Sequence, residues 1–205
     1  MKELTLDTFK QMLRHALKRI TERQDEFSQL DAILGDGDHG TAMVTAMNAA
    51  IEAAEKGTEF KSMLNDMGFN VMLHTSGSTS TLLGAFFLGM SDCVEGSSIN
   101  AEAVKEMFTG GLKNIRTQTK ADKGDKTMMD ALIPAVEAIE NSQSDDIREM
   151  LKAGAQAART GAENTVNLKA IFGRARNYNE RSIGSADPGA TSWACILTAF
   201  AELIN

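Results

Sequence analysis

Proline is almost missing from this chain, two in 205 residues, and with abundant Ala, Met, Glu and Lys that leaves helix unopposed nearly throughout. Cysteine is equally scarce. Cys93 and Cys195 stand far apart with no C-x-x-C spacing, which excludes a disulfide scaffold and fits a reducing cytoplasm. Aromatics make up 5% of a chain that is 42% hydrophobic, and the 12 methionines read as flexible core filler rather than a metal or partner surface. Positive charge is in deficit: 21 Lys and Arg face 28 Asp and Glu, for a net charge of −7 and a pI near 5.0. Nucleic acid and anionic membranes both need a basic face, so neither is an expected partner. No charged-then-apolar leader opens the chain. The longest apolar run, 82–90, is about half the roughly 20 residues a bilayer demands and contains two glycines. The expectation is one soluble, acidic, cytoplasmic domain over residues 1–205, long enough to bury a sizeable core.

What the sequence does contain is helical periodicity. After Leu6 the apolar residues Phe9, Leu13, Leu17 and Ile20 recur at helical spacing, with Thr5 available as N-cap. A second helix is expected over about 40–54 (Met43, Met47, Ile51). A third follows Thr58 or a neighbour (Phe60, Met63, Leu64, Met67, Val71), and a fourth covers about 79–91. Asn100 can cap a fifth with Val104, Met107, Phe108, Leu112 and Ile115 on its apolar face. Thr127 opens a sixth that Pro134 should kink; the last two span about 145–164 and 189–203. No two-residue alternation suggests a strand. Eight helices with short connections predict an all-α bundle.

Polar, glycine-rich breaks interrupt this pattern at 30–41, 75–81, 124–127 and 174–192. Gly35-Asp36-Gly37-Asp38-His39-Gly40 spells G-x-G-x-x-G, but no strand precedes it and its aspartates would repel a pyrophosphate, so a dinucleotide fold is excluded. An EF-hand fails for want of Gly and Glu at the required positions. Asp31, Asp36 and Asp38 suit a hard divalent cation that shares its remaining positions with water and phosphate; the same spacing also suits a solvated, helix-capping turn. His39 beside them could be a ligand, a base or a hydrogen-bonded loop residue. The Ser/Thr/Gly run at 75–81 and the turn Asp187-Pro188-Gly189 both precede helices, where backbone N–H groups cradle anions or simply start a helix. Arg174, Arg176 and Arg181 form a basic cluster able to bind phosphate bidentately, unless they are ordinary surface arginines. Together these features point to a Mg-nucleotide, with no Walker A or protein-kinase signature present.

Three stretches, in this order, resemble the nucleotide-binding L-subunit family of bacterial dihydroxyacetone kinases: Gly35-Asp36-Gly37-Asp38-His39-Gly40, Gly124-Asp125-Lys126-Thr127-Met128, and Glu180-Arg181-Ser182-Ile183-Gly184 running on to Asp187-Pro188-Gly189-Ala190-Thr191-Ser192. The resemblance implies a closed antiparallel eight-helix barrel with the nucleotide at one end and two Mg²⁺ ions between aspartates and phosphates. It implies Asp31, Asp36 and Asp38 as metal ligands. His39, Gly40, Thr41 and Ala42 would lie at the phosphates, with Ser78 and Thr79 in the glycine-rich cradle. Met128, Asp187, Pro188 and Gly189 would contact the nucleoside end. Arg174 would lie at the nucleotide, and Arg181 joins it as a candidate catalytic residue.

The family's chemistry is phosphoryl transfer to dihydroxyacetone held on a separate K subunit. Two-domain members exchange ATP, whereas separate L subunits keep ADP, recharged by a phosphohistidine carrier protein of the phosphotransferase system. A separate chain of this length predicts the second kind. Two positions depart from the family pattern. Ser76-Gly77-Ser78-Thr79-Ser80-Thr81 stands where Gly-Gly-Ala-Ser-Gly-Pro is common, and Ala42 stands where many members have Asn. The competing expectations are an ATP-dependent short-ketose kinase subunit and a non-catalytic module that signals nucleotide state to a transcription regulator. The intact aspartate triad favours the enzyme.

Overall fold

The structure, a computed structural model, describes residues 1–75 and 77–204. Among these it holds nine α-helices: α1 (Leu6–Glu22), α2 (Gln24–Leu34), α3 (His39–Lys56), α4 (Phe60–His74), α5 (Ser78–Ser91), α6 (Ala101–Gln118), α7 (Met129–Glu140), α8 (Ile147–Asn164) and α9 (Pro188–Leu203). None is long and apolar enough to cross a membrane. Thr5, Asn100, Asp146 and Asp187 cap α1, α6, α8 and α9, each accepting a backbone N–H from the first turn.

Eight of the helices close a ring in chain order. α1 packs on α3, each helix from α3 packs on the next, and α9 returns to α1. The expected eight-helix barrel is therefore present. Its interior is filled by aromatic rings and methionines. Phe86 meets Trp193 edge-on at 5.1 Å, Phe9 contacts Phe60 and Phe200, and Met43, Met47, Met63, Met67, Met107 and Met150 are fully buried. Pro134 lies inside α7 and removes the N–H that would reach the Asp130 carbonyl. Gly161 of α8 packs there so closely that a Cβ would sit 1.9 Å from that oxygen.

Two elements escaped the sequence reading. The break expected to begin at Leu30 begins only after Leu34, because α2 continues through it. This helix buries only Phe27 and Leu34, so its periodic signal is faint, and a single residue, Arg23, separates it from α1. It packs on α3, α9 and the 3₁₀ segment Arg174–Ser182. The second is an antiparallel pair, β1 (Glu3–Thr5) and β2 (Ser98–Asn100), with Leu4 opposite Ile99. Three-residue strands are too short to display alternation.

Directions alternate around the ring, so the N-termini of α3, α5, α7 and α9 gather at one end. Residues from all four first turns line a single cavity there.

Candidate nucleotide and metal site

The cavity holds about 420 Å³. Its acidic wall begins with Asp31, in the last turn of α2 rather than in the glycine loop. Gly35 terminates that helix, and its lack of a side chain makes room for the Asp31 carboxylate: a Cβ would lie 2.3 Å from Oδ1. Gly37 adopts a left-handed φ of 78°, which turns the chain back over the helix end. The N–H groups of Gly37 and Asp38 then donate to Asp31 Oδ2 at 2.9 and 3.1 Å. The result is a cluster in which one oxygen each from Asp31, Asp36 and Asp38 lies within 4.8 Å of the others.

Among the described residues, the cation paired with this cluster is Arg174, whose guanidinium bonds Asp36 and holds that carboxyl below the usual range. Three converging carboxylates against one guanidinium leave uncompensated negative charge. A hard cation with oxygen ligands fits that donor set.

His39 opens α3 and is buried. Its Nε2 lies 2.9 Å from Ser192 Oγ on α9, and its Nδ1 lies 3.3 Å from Thr79 Oγ1 on α5. The Ser192 hydroxyl donates to the Gly189 carbonyl, so it accepts from Nε2–H, and Nδ1 is left to accept from Thr79. Burial lowers the His39 pKa, which keeps the ring neutral for these two bonds. These two bonds tie the starts of α3, α5 and α9 together at the histidine.

Apolar residues complete the lining, with Leu30, Leu34, Leu82, Met128, Phe172 and Trp193 bordering the same space. Asp187 caps α9 by accepting from Ala190 N at 2.7 Å. The residue keeps some exposure, but its carboxyl is enclosed. Burial pushes its pKa up to about 7, against the opposing pull of the Ala190 N–H and Lys126. Four helix N-termini around one cavity place a positive potential where phosphate would meet the carboxylates' cation.

Most of the residues singled out from sequence come together here: Asp31, Asp36, Asp38, His39, Ala42, Ser78, Thr79, Met128, Arg174, Asp187, Pro188 and Gly189 all line the cavity. Gly40, Thr41 and Arg181 do not. Gly40 is buried against α2, where a Cβ would lie 2.0 Å from the Gln24 carbonyl. Thr41 turns toward α2 and its hydroxyl accepts from Gln24 Nε2. Arg181 is exposed, with its guanidinium over the Tyr178 ring at 5.7 Å. Ser76 lies outside the described residues. Leu30, Phe172 and Trp193 were missed because apolar residues on helix and loop carry no local mark of a ligand wall. A second cavity, on the outer face of α8 and α9, contains Arg19, Arg23 and Arg159, but Glu22, Glu26 and Glu202 already pair with the first two.

A helical barrel whose mouth sets three carboxylates among four helix N-termini is an all-α domain with a donor set that suits a divalent cation beside phosphate. The family model of the DAK2 domain matches residues 33–202, and the chain belongs to that family. It is 32% identical over 188 residues, 90% of both chains, to the ADP-binding subunit DhaL of PEP-dependent dihydroxyacetone kinase 1 from Listeria innocua. It is 34% identical over 170 residues, 80% of both chains, to the corresponding Escherichia coli subunit. A D-erythrulose kinase of Mycolicibacterium smegmatis is 32% identical over 91% of this chain, which spans only 33% of that enzyme. The fold matches the dihydroxyacetone kinase of C. freundii solved with AMP-PNP and Mg²⁺. The TM-score is 0.71 at 24% identity, over 94% of this chain and 33% of that one.

Proposed function

We propose that this chain is the ADP-binding subunit of a phosphoenolpyruvate-dependent dihydroxyacetone kinase, a phosphotransferase. The observation that carries this reading is the convergence of Asp31, Asp36 and Asp38 at a mouth ringed by four helix N-termini. Relatives aligned over most of both chains, named as ADP-binding subunits, point the same way.

In this reading Asp31, Asp36 and Asp38 hold two Mg²⁺ ions. A metal held by these carboxylates would supply charge neutralisation at the phosphate oxygens. The carboxylates fix its position, with Asp31 oriented by two backbone N–H groups. Ser78 and Thr79 offer hydroxyls and the first turn of α5 to the phosphates, and neutral His39 keeps that turn in register with α3 and α9. Ala42 borders the phosphates from the first turn of α3, a turn that Gly40 and Thr41 fix against α2. Arg174, paired with Asp36 at the mouth, is the guanidinium placed to bind the transferred phosphate. Met128, Asp187, Pro188 and Gly189 close around the nucleoside on the apolar wall. Arg181, outside the cavity, faces a partner rather than the nucleotide.

The partners are a K subunit that holds dihydroxyacetone and a phosphohistidine carrier that recharges ADP, each docking at the same open mouth in turn. Native mass analysis after gentle purification should find ADP retained, and reconstitution with both partners should phosphorylate dihydroxyacetone. If no adenine nucleotide is retained and MgADP leaves the melting temperature unchanged, the reading fails. The similarity to erythrulose kinases supports a second reading, an ATP-dependent kinase subunit for a short ketose. Freely exchanging ATP in place of retained ADP would favour it.

A further inference from the structure

Lys126 itself has no part in the roles above, although it borders the cavity, and three observations set it apart. Its backbone has φ 58°, a left-handed conformation that glycine or asparagine adopts more readily. Its side chain is nonetheless retained and almost wholly enclosed, 2% exposed. Its Nζ donates to two carbonyls, Thr165 O and Ser185 O, both at 2.5 Å. A strained backbone kept at a position where a buried ammonium spends its protons on two separate loops signals a side chain that the site requires.

The loops it joins are walls of the cavity. The 119–128 turn supplies Met128, the 165–173 segment supplies Phe172, and 183–189 supplies Asp187 and Gly189. Neighbouring bonds run through the same point. Asp187 N donates to Thr165 Oγ1 at 2.9 Å, Gly184 N to Val166 O at 2.8 Å, and Ile171 N to Asp125 O at 3.2 Å. Burial lowers the Lys126 pKa, against the opposing pull of the Asp187 and Asp130 carboxyls. Asp130 itself is occupied with the turn, accepting from Gly124 N and Thr127 N.

We propose that Lys126 is a positioning residue for the nucleoside end of the site: its ammonium ties the 165–173 and 183–189 segments to the turn before α7, and so sets nucleotide affinity rather than the transfer step. This rests on the nucleotide reading given above.

Lys126→Met nearly keeps the length of the side chain and removes the donors, leaving the Ser185 carbonyl without this partner and the Thr165 carbonyl with the Leu168 N–H alone. Lys126→Gln retains one amide donor group. The test follows MgADP binding by the fluorescence of Trp193, and kcat at saturating nucleotide with the partner subunits. It also follows trypsin cleavage at Arg174, Arg176 and Arg181, which lie between the two tied segments. Lys126→Met should weaken MgADP binding by at least about tenfold, the order expected when two charge-assisted hydrogen bonds that hold the loops are lost, with Lys126→Gln in between. Cleavage should accelerate in the ligand-free variants, while kcat stays within about threefold. Wild-type affinity in Lys126→Met would overturn the proposal, as would equal losses in kcat and affinity. Failure of both variants to fold, read by far-UV circular dichroism, would also overturn it by making Lys126 a folding residue. If the wild-type chain binds no MgADP, the fault lies with the nucleotide reading. Faster cleavage of the variants then still upholds the tie, and unchanged cleavage overturns it.

Discussion

Asp31 owes its place to a residue with no side chain. Because a Cβ on Gly35 would overlap Asp31 Oδ1, Gly35→Ala should push the carboxylate out of the cluster. The expected outcome is a loss of Mg²⁺-dependent ADP binding of at least about tenfold with helical content unchanged, measured by titration calorimetry and circular dichroism. Asp36→Asn and Asp38→Asn should lose phosphoryl transfer by orders of magnitude while staying folded, since both side chains stand away from the core. Wild-type turnover in either would move the metal elsewhere. Asp187 predicts a pH effect. Its carboxyl is raised from 3.8 to about 7, so between those values the folded chain binds a proton that the unfolded chain has lost. Its contribution therefore weakens stability as pH rises from about 4 to about 7. Asp187→Asn keeps a capping oxygen without the titration. The difference in melting temperature between variant and parent, both ligand-free, should be smallest near pH 4 and grow in the variant's favour up to neutrality. The lowered pKa of His39 acts in the opposite sense, but it is common to both chains. A difference that does not change with pH would show that Asp187 is ionised throughout.

At the scale of elements, α2 is the piece that delivers a ligand to the site, and it was the helix hardest to read. Its sequence is mostly polar and only Phe27 and Leu34 are buried, so neither periodicity nor composition announces it. What holds it is close approach to α3, where Gly40 lets the Gln24 carbonyl sit in van der Waals contact with backbone. Gly40→Ala should force α2 off α3, costing about 1–3 kcal/mol of stability by overpacking and weakening metal binding together with it. Loss of stability with metal affinity intact would show that Asp31 is held by the Gly35–Asp38 turn alone. The strongly amphipathic helices, by contrast, were legible to within a residue or two: Thr5 and Asn100 cap where the pattern placed them, because apolar spacing and a capping side chain are both local.

Across the whole molecule, alternation around a ring of eight helices brings four N-termini to one mouth and leaves three carboxylates among them. Phosphate alone meets those carboxylates, and a cation alone meets the helix N-termini, so ADP and Mg²⁺ should bind together far better than either does separately. At about a hundred times Kd, MgADP should stabilise the fold by about 2.7 kcal/mol, roughly 5–10 °C for a chain of this size. ADP without Mg²⁺ should give little of that shift. Trp193, the single tryptophan, lines the cavity and should report the same titration by its fluorescence. Equal shifts with and without Mg²⁺ would remove the carboxylates from the nucleotide's surroundings.

The sequence by itself determined an all-α chain, the principal helix positions and the four polar breaks, because helical periodicity, capping and glycine content are properties of neighbouring residues. It also marked the three aspartates, which lie within eight positions of one another. Tertiary structure alone decided what those breaks share. Gly40, Thr41 and Arg181 stand in or beside the same motifs as His39, Ala42 and Asp187, yet helix packing turns them away from the cavity while it brings in Leu30, Phe172 and Trp193. Lys126 reads as one more polar turn residue until loops some 40 and 60 positions further along the chain present their carbonyls to it. Side-chain direction in a first helical turn, and the meeting of distant loops, depend on which helix packs against which. In a ring of eight helices, that is settled only when the ring closes.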